Sequence, residues 1–214
     1  MSFVEFVEGP LFTLASAIFV LGALWRLIGI IRIGRKKDIS PPKGSAAMGF
    51  VMGNLRHFFP RGIFARRTAL HIIAGYGFHI ALLVLVLFAA PHIAFIQDRL
   101  VNVALPEMPR WGFIVAAEIA FAGLIMLWVR RISDPVMRLI SDWDDHIGTW
   151  LTFLVMLSGC FALQESQSFL RGFHMLLVDV WLIYFPFSRL MHAFTFFLSR
   201  GNTGATYGRK GMNL

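Results

Sequence analysis

The stretch FLRGFHMLLVDVWLIYFPFSRLMHAFTFFLSR, Phe169 to Arg200, decides the reading of this chain. It is apolar over more than the about 20 residues that cross a bilayer as a helix, yet it holds two histidines, His174 and His192. Eighteen residues separate them, which is five turns at about 3.6 residues per turn and about 27 Å of axial rise. On one unbroken helix the two imidazoles would share a face, one near each side of the membrane. Polar side chains at such depth are costly and mark functional sites. Vertically aligned imidazoles are what a b-type cytochrome with two haems requires, because each iron takes an axial imidazole from each of two facing helices.

The rest of the composition agrees with a membrane setting. Of 214 residues 57% are hydrophobic, 22 of them Phe, which is outside the range of soluble domains. Only helices and closed barrels satisfy the backbone in lipid, and these apolar runs are too long for strands. The expected fold is therefore all-α. A net charge of +8 could indicate nucleic acid, but the basic residues cluster just outside the apolar runs, as in cytoplasmic loops, which argues against it. One cysteine, Cys160, cannot supply an internal disulfide, an iron–sulfur cluster or a covalent haem site. Glu5 and Glu8 with no leading basic residue argue against a cleaved signal peptide.

Five spans are expected, over about 10–33, 68–96, 111–129, 146–163 and 169–199. The first closes on Arg32, Arg35, Lys36 and Lys37 and opens a basic loop, 34–67, with Lys43, Arg56, Arg61, Arg66 and Arg67. By the positive-inside rule that loop is cytoplasmic, so the N-terminus is outside and the C-terminus, with Arg209 and Lys210 in a Gly-rich tail, is inside. Within the loop, 46–59 reads as a helix at the inner interface or against a partner, or as a plain loop. Arg130 and Arg131 close the third span inside, ahead of the acids Asp134, Asp142, Asp144 and Asp145. No internal repeat or separate soluble domain is evident.

The histidines pair by depth. His71, just after Arg66 and Arg67, and His192 both belong near the inner side. His174 belongs near the outer side, and its partner is either His79, about 12 Å beyond His71, or His92, about 31 Å beyond it and preceded by Pro91. His57 and His146 read as interfacial residues at or beyond span ends. Scattered over the bilayer, these imidazoles do not form the compact four-ligand set of structural zinc.

The segment FPFSRLMH, Phe185 to His192, together with His174, resembles the last helix of the cytochrome b (gamma) subunit of respiratory nitrate reductases. The resemblance implies a five-helix membrane bundle with its N-terminus outside. It implies two b haems on histidines of the second and fifth helices, and quinol oxidation near the outer haem. It assigns ligand roles to His174 and His192, and His71 followed by Gly75 and Gly77-Phe78 is similar to the first ligand position of the second helix. The family's next ligand falls ten residues on, where this chain has Ala81, while Ala90-Pro91-His92 resembles a Pro-His that follows the helix there. The same architecture serves heterodisulfide-reductase-like and sulfite-reduction-linked complexes, which gives a second reading as a quinone-reducing subunit of sulfur metabolism.

Together these imply a bacterial or archaeal cytoplasmic-membrane protein with two haem b groups, or one, exchanging electrons with menaquinone or ubiquinone. A cytoplasmic iron–sulfur or catalytic subunit would dock on loop 34–67. No catalytic nucleophile or soluble active site is evident, so chemistry on any non-quinone substrate is expected on partners. Arg26 and Arg189 are candidates for haem propionates or for surface snorkelling. Glu118, Asp179 and His92 are candidates for the quinone and its protons. Trp111, Trp150 and Trp181 read as interface anchors or packing. A non-redox reading, in which the histidines serve a transporter or a passive anchor, lacks the paired repeats and broken helices common in transporters.

Overall fold

The computed structural model describes residues 1–33, 39–58, 63–101, 106–163 and 168–212. Among them every regular element is helical: α1 (Phe3–Phe6), a π-helical turn (Val7–Leu11), α2 (Phe12–Ile33), α3 (Ala46–Arg56), α4 (Ile63–Phe88), α5 (Ala90–Ile96), a second π-helical turn (Gln97–Val101), α6 (Arg110–Ser133), α7 (Pro135–Ile140), α8 (Trp143–Ala162), α9 (Ser168–Tyr184) and α10 (His192–Arg209). Four segments are long and apolar enough to cross a membrane, Phe3–Arg32, Thr68–Phe88, Arg110–Ser133 and Ser168–Phe187. The chain is a multi-pass membrane protein. The expected fourth span forms a helix, α8, but is not one of these four. Its first turn holds Asp144 and Asp145, and a capping box between Asp142 and Asp145 starts it.

Two compact units divide the chain. The first takes Met1–Gly9 and Thr68–Trp181. Its core joins α4, α6 and α8 through Phe78, Ala81 and Leu85, Ala116, Ala117, Ala120 and Leu124, and Met156. Small residues set the spacing, since a Cβ at Gly123 would lie 2.8 Å from the Ala74 carbonyl and 3.0 Å from Phe78. In lipid such close backbone approach replaces the missing hydrophobic drive.

The second unit takes Pro10–Arg67 and Leu182–Leu214. Here the expected single helix over 169–199 is corrected. Helix α9 stops at Tyr184, two tight turns (Phe185–Phe187 and Arg189–Met191) follow, and α10 starts at His192. Pro186 has no amide donor and its ring obstructs the preceding turn. Ser188 is extended, with φ −107° and ψ 176°, and its hydroxyl accepts from the Leu190 amide. His174 and His192 therefore lie on different helices, and the five-turn argument for a shared face does not apply.

The break has a packing use. A Cβ at Gly22 of α2 would lie 2.7 Å from Pro186 Cβ, so the proline seats in that notch, flanked by Phe19 against Phe185 (5.3 Å between ring centroids) and Phe194 (6.0 Å). The stretch after Arg200, read as a tail, is helix as far as Arg209. Its Gly201, Gly204 and Gly208 press on Phe50, Gly49, Gly53 and the Ser45 carbonyl of α3. The Lys43 amide donates to the Arg209 carbonyl at 2.8 Å, closing the far end of the pair. Phe50 meets Phe197 edge-on at 5.4 Å. Residues 34–38, 59–62, 102–105, 164–167 and 213–214, which include Arg35, Lys36, Lys37 and Arg61 of the basic loop, lie outside the described residues.

Gly204→Val would place a branched side chain where even a Cβ would overlap the Gly49 carbonyl and stand 2.8 Å from Gly53 Cα. Overpacking of this kind costs about 1–3 kcal/mol. The expected outcome is a lower melting temperature in detergent and faster trypsin cleavage at Lys43 and Arg56, with Thr203→Ala, on the exposed side of α10, changing neither.

Candidate functional site

In the first unit the end of α4 sets the geometry. Helix α4 closes at Phe88, Ala89 is extended (φ −66°, ψ 132°), and Pro91 sits in the first turn of α5. Proline suits that position because first-turn amides have no helical partner. The redirected chain buries Ile93 completely and brings His92 back over the last turn of α4, where its Nδ1 is 3.0 Å from the Leu85 carbonyl.

Helices α8 and α9 supply the other side. Ser158 Oγ donates to the Val155 carbonyl at 3.0 Å and lies 3.0 Å from His174 Nδ1. A Cβ at Gly159 would stand 3.1 Å from His174 Cε1, so the imidazole lies against bare α8 backbone. About two turns away Trp181 Nε1 donates to Thr152 Oγ1 at 3.0 Å. The start of α9 is held by the N-terminal segment: Glu8 forms a two-pronged ion pair with Arg171, one arm 2.8 Å, and Phe3 packs on Gly172 and Phe169. An apolar groove of about 140 Å³ runs beside Ser158, lined by Leu154, Leu157, Phe161, Phe173 and Leu177.

These elements bring His92 and His174 together, with ring centroids 6.2 Å apart and planes within 19°. With metal–imidazole bonds of about 2.0–2.1 Å and roughly 1.1 Å from ring centre to nitrogen, two coaxial imidazoles on one metal stand about 6.2–6.4 Å apart. Both Nδ1 atoms are engaged by protein, which leaves Nε2 of each ring for a ligand, the usual arrangement of a metal-bound histidine. That separation and tilt make the pair the candidate donor set of the first unit. Among the described residues no cluster of three or more His, Cys, Asp or Glu is placed to hold a bare metal ion.

The other candidate residues are distributed as follows. His79 is exposed on α4 with Nδ1 2.7 Å from the Gly75 carbonyl, and its ring packs on Phe78. His71 is half-buried and its Nδ1 is enclosed without a hydrogen-bond partner among the described residues. His192 belongs to the second unit, with Nδ1 2.8 Å from the Arg189 carbonyl, and both it and Arg189 are exposed. Arg26 of α2 is exposed, as is Glu118 of α6. Asp179 of α9 is 0% exposed, and neither carboxylate oxygen has a partner among the described residues. His146 packs against Trp143, and His57 Nδ1 is 2.5 Å from the Gly53 carbonyl.

Sequence reasoning missed Ser158, Gly159 and the Leu85 carbonyl. The available signal was a Ser-Gly pair in an otherwise apolar run, which weighs little until α9 is seen beside it.

No protein-family model matches the chain, and no solved structure does. The chain is similar to a protein of Nitratidesulfovibrio vulgaris (strain Hildenborough) described only as "Protein", 27% identical over 213 residues and covering 96% of this chain and 93% of that one. That description names no activity.

The α8–α9 seam can be tested through its lower hydrogen bond. Thr152→Val leaves the Trp181 indole N–H unsatisfied at a site 5% exposed, a loss of about 1–3 kcal/mol. Thr152→Val combined with Trp181→Phe is expected to cost less than the sum of the two single changes, as read by thermal unfolding in a double-mutant cycle.

Proposed function

We propose that this chain is the membrane-embedded b-type cytochrome subunit of a quinone-linked redox complex, with a haem held between His92 and His174. The observation that carries this reading is the near-parallel pair of imidazoles at 6.2 Å. It favours His92 over His79 as the partner of His174. When bound, haem supplies one-electron chemistry, and the protein supplies ligands, orientation and a dry setting.

The residues around the pair serve those ends. Helix α5 holds His92 in place through the Leu85 carbonyl, and α8 holds His174 through Ser158 and Gly159. The Thr152–Trp181 hydrogen bond and the Glu8–Arg171 ion pair fix α9 on either side of His174. Asp179, enclosed and without a hydrogen-bond partner among the described residues, and Glu118, exposed on a spanning helix, are the acids available to quinone-linked protons.

The wider scheme rests on the resemblance to nitrate reductase gamma subunits and on charge placement. In it the chain has five spans in a bacterial or archaeal cytoplasmic membrane, with α8 as the fourth and the N-terminus outside. Quinol, menaquinol or ubiquinol, gives up its electrons near His174 and its protons to the outside. A second haem, which the resemblance implies, lies on the way to a cytoplasmic iron–sulfur or catalytic subunit docked on loop 34–67. Arg189 and Arg26 are available to propionates. Run in reverse, the same parts suit a quinone-reducing complex of sulfur metabolism.

The test is spectroscopic. Protein purified from cells supplied with haem precursor should show dithionite-reduced b-type bands. His92→Ala and His174→Ala should each lose the same component, and His79→Ala should keep it. A colourless native protein, or loss in His79→Ala with retention in His92→Ala, contradicts the reading.

A further inference from the structure

We propose that Ser158 is a positioning residue that holds His174 in its Nδ1–H tautomer and raises the donor strength of its Nε2. The inference rests on the haem reading above and deepens it, by assigning the Ser158 contact an electronic effect on the ligand as well as a positional one.

A serine hydroxyl has one proton and two lone pairs. Ser158 commits its proton to the Val155 carbonyl, one turn back on α8, at 3.0 Å. His174 Nδ1 is also 3.0 Å away. With the hydroxyl proton on the Val155 carbonyl, Ser158 meets that nitrogen with a lone pair, and in this arrangement the ring donates from Nδ1 and keeps its lone pair on Nε2. Back-bonding to the preceding turn also selects the serine rotamer, which sets the direction of that lone pair. Ser158 is 5% exposed, so bulk water does not compete for either bond. Gly159 completes the arrangement, because the ring lies against backbone where a Cβ would be 3.1 Å from Cε1.

His92 receives the same tautomer from the Leu85 carbonyl, an acceptor that no substitution removes. Of the two supports, Ser158 is the one that side-chain chemistry can alter. An acceptor on Nδ1–H makes an imidazole a stronger donor at Nε2 and stabilises the oxidised metal, and loss of such a partner typically weakens metal retention by about 10–100-fold.

The experiment is a potentiometric titration of the purified native chain beside Ser158→Ala, Ser158→Thr and Ser158→Cys, followed in the reduced b-type band that His174→Ala removes. The expected result is a raised midpoint potential and faster haem loss in Ser158→Ala, with values near native in Ser158→Thr, which keeps the hydroxyl. Ser158→Cys, a near-isosteric weak acceptor, should fall between, and it carries the test if the alanine variant does not fold. Haem bound in every variant at an unchanged potential overturns the role of Ser158 and leaves the haem reading standing. A native protein without haem removes both.

Discussion

An imidazole in a membrane interior is costly unless its ring nitrogens are engaged. That constraint organises the first unit. His92 and His174 each set Nδ1 against a protein oxygen, the Leu85 carbonyl for one and Ser158 Oγ for the other, with their ring centroids 6.2 Å apart.

The same pair explains where the backbone departs from regularity. Continued as one helix, α4 would carry His92 onward with the spans. The break at Ala89 and the proline that starts α5 return it over Leu85 instead. Backbone groups released in the break are used again: the Phe88 carbonyl accepts from the Met108 amide at 3.0 Å. In the second unit a different break, at Pro186 and Ser188, forms a wedge for Gly22, while the glycine faces of α3 and α10 meet at backbone contact. Both units obey one rule, in which small residues and prolines are placed where chain segments must come close or change direction.

The spans were legible because their lengths and terminal charges report directly on the bilayer. The third span, expected over about 111–129, stands at 110–133, while 68–88 and 168–187 start where hydropathy puts them and end earlier than the expected 96 and 199. The broken fifth helix was less legible. Proline and serine in FPFSRL carry a break signal, yet in lipid a proline is often accommodated within a continuous helix, so the eighteen-residue spacing read as five whole turns. Periodicity arguments fail in this way whenever one residue leaves helical geometry. His174 is legible in the sequence as a polar ring in an apolar run. The approach of His92 to it is not, since it depends on a reorientation at Ala89 that depth along an ideal helix does not contain. Ser158 was not legible either, because a serine in an apolar run gains meaning only from what faces it.

The central claim is that one haem iron joins His92 to His174, and it is tested most directly by a cryo-electron-microscopy map of the purified protein with its bound groups. The account predicts planar density of porphyrin size between the two rings, continuous with Nε2 of each, while Nδ1 of His174 stays on Ser158 and Nδ1 of His92 on the Leu85 carbonyl. Rings in direct contact, or lipid or side-chain density between them, would contradict it.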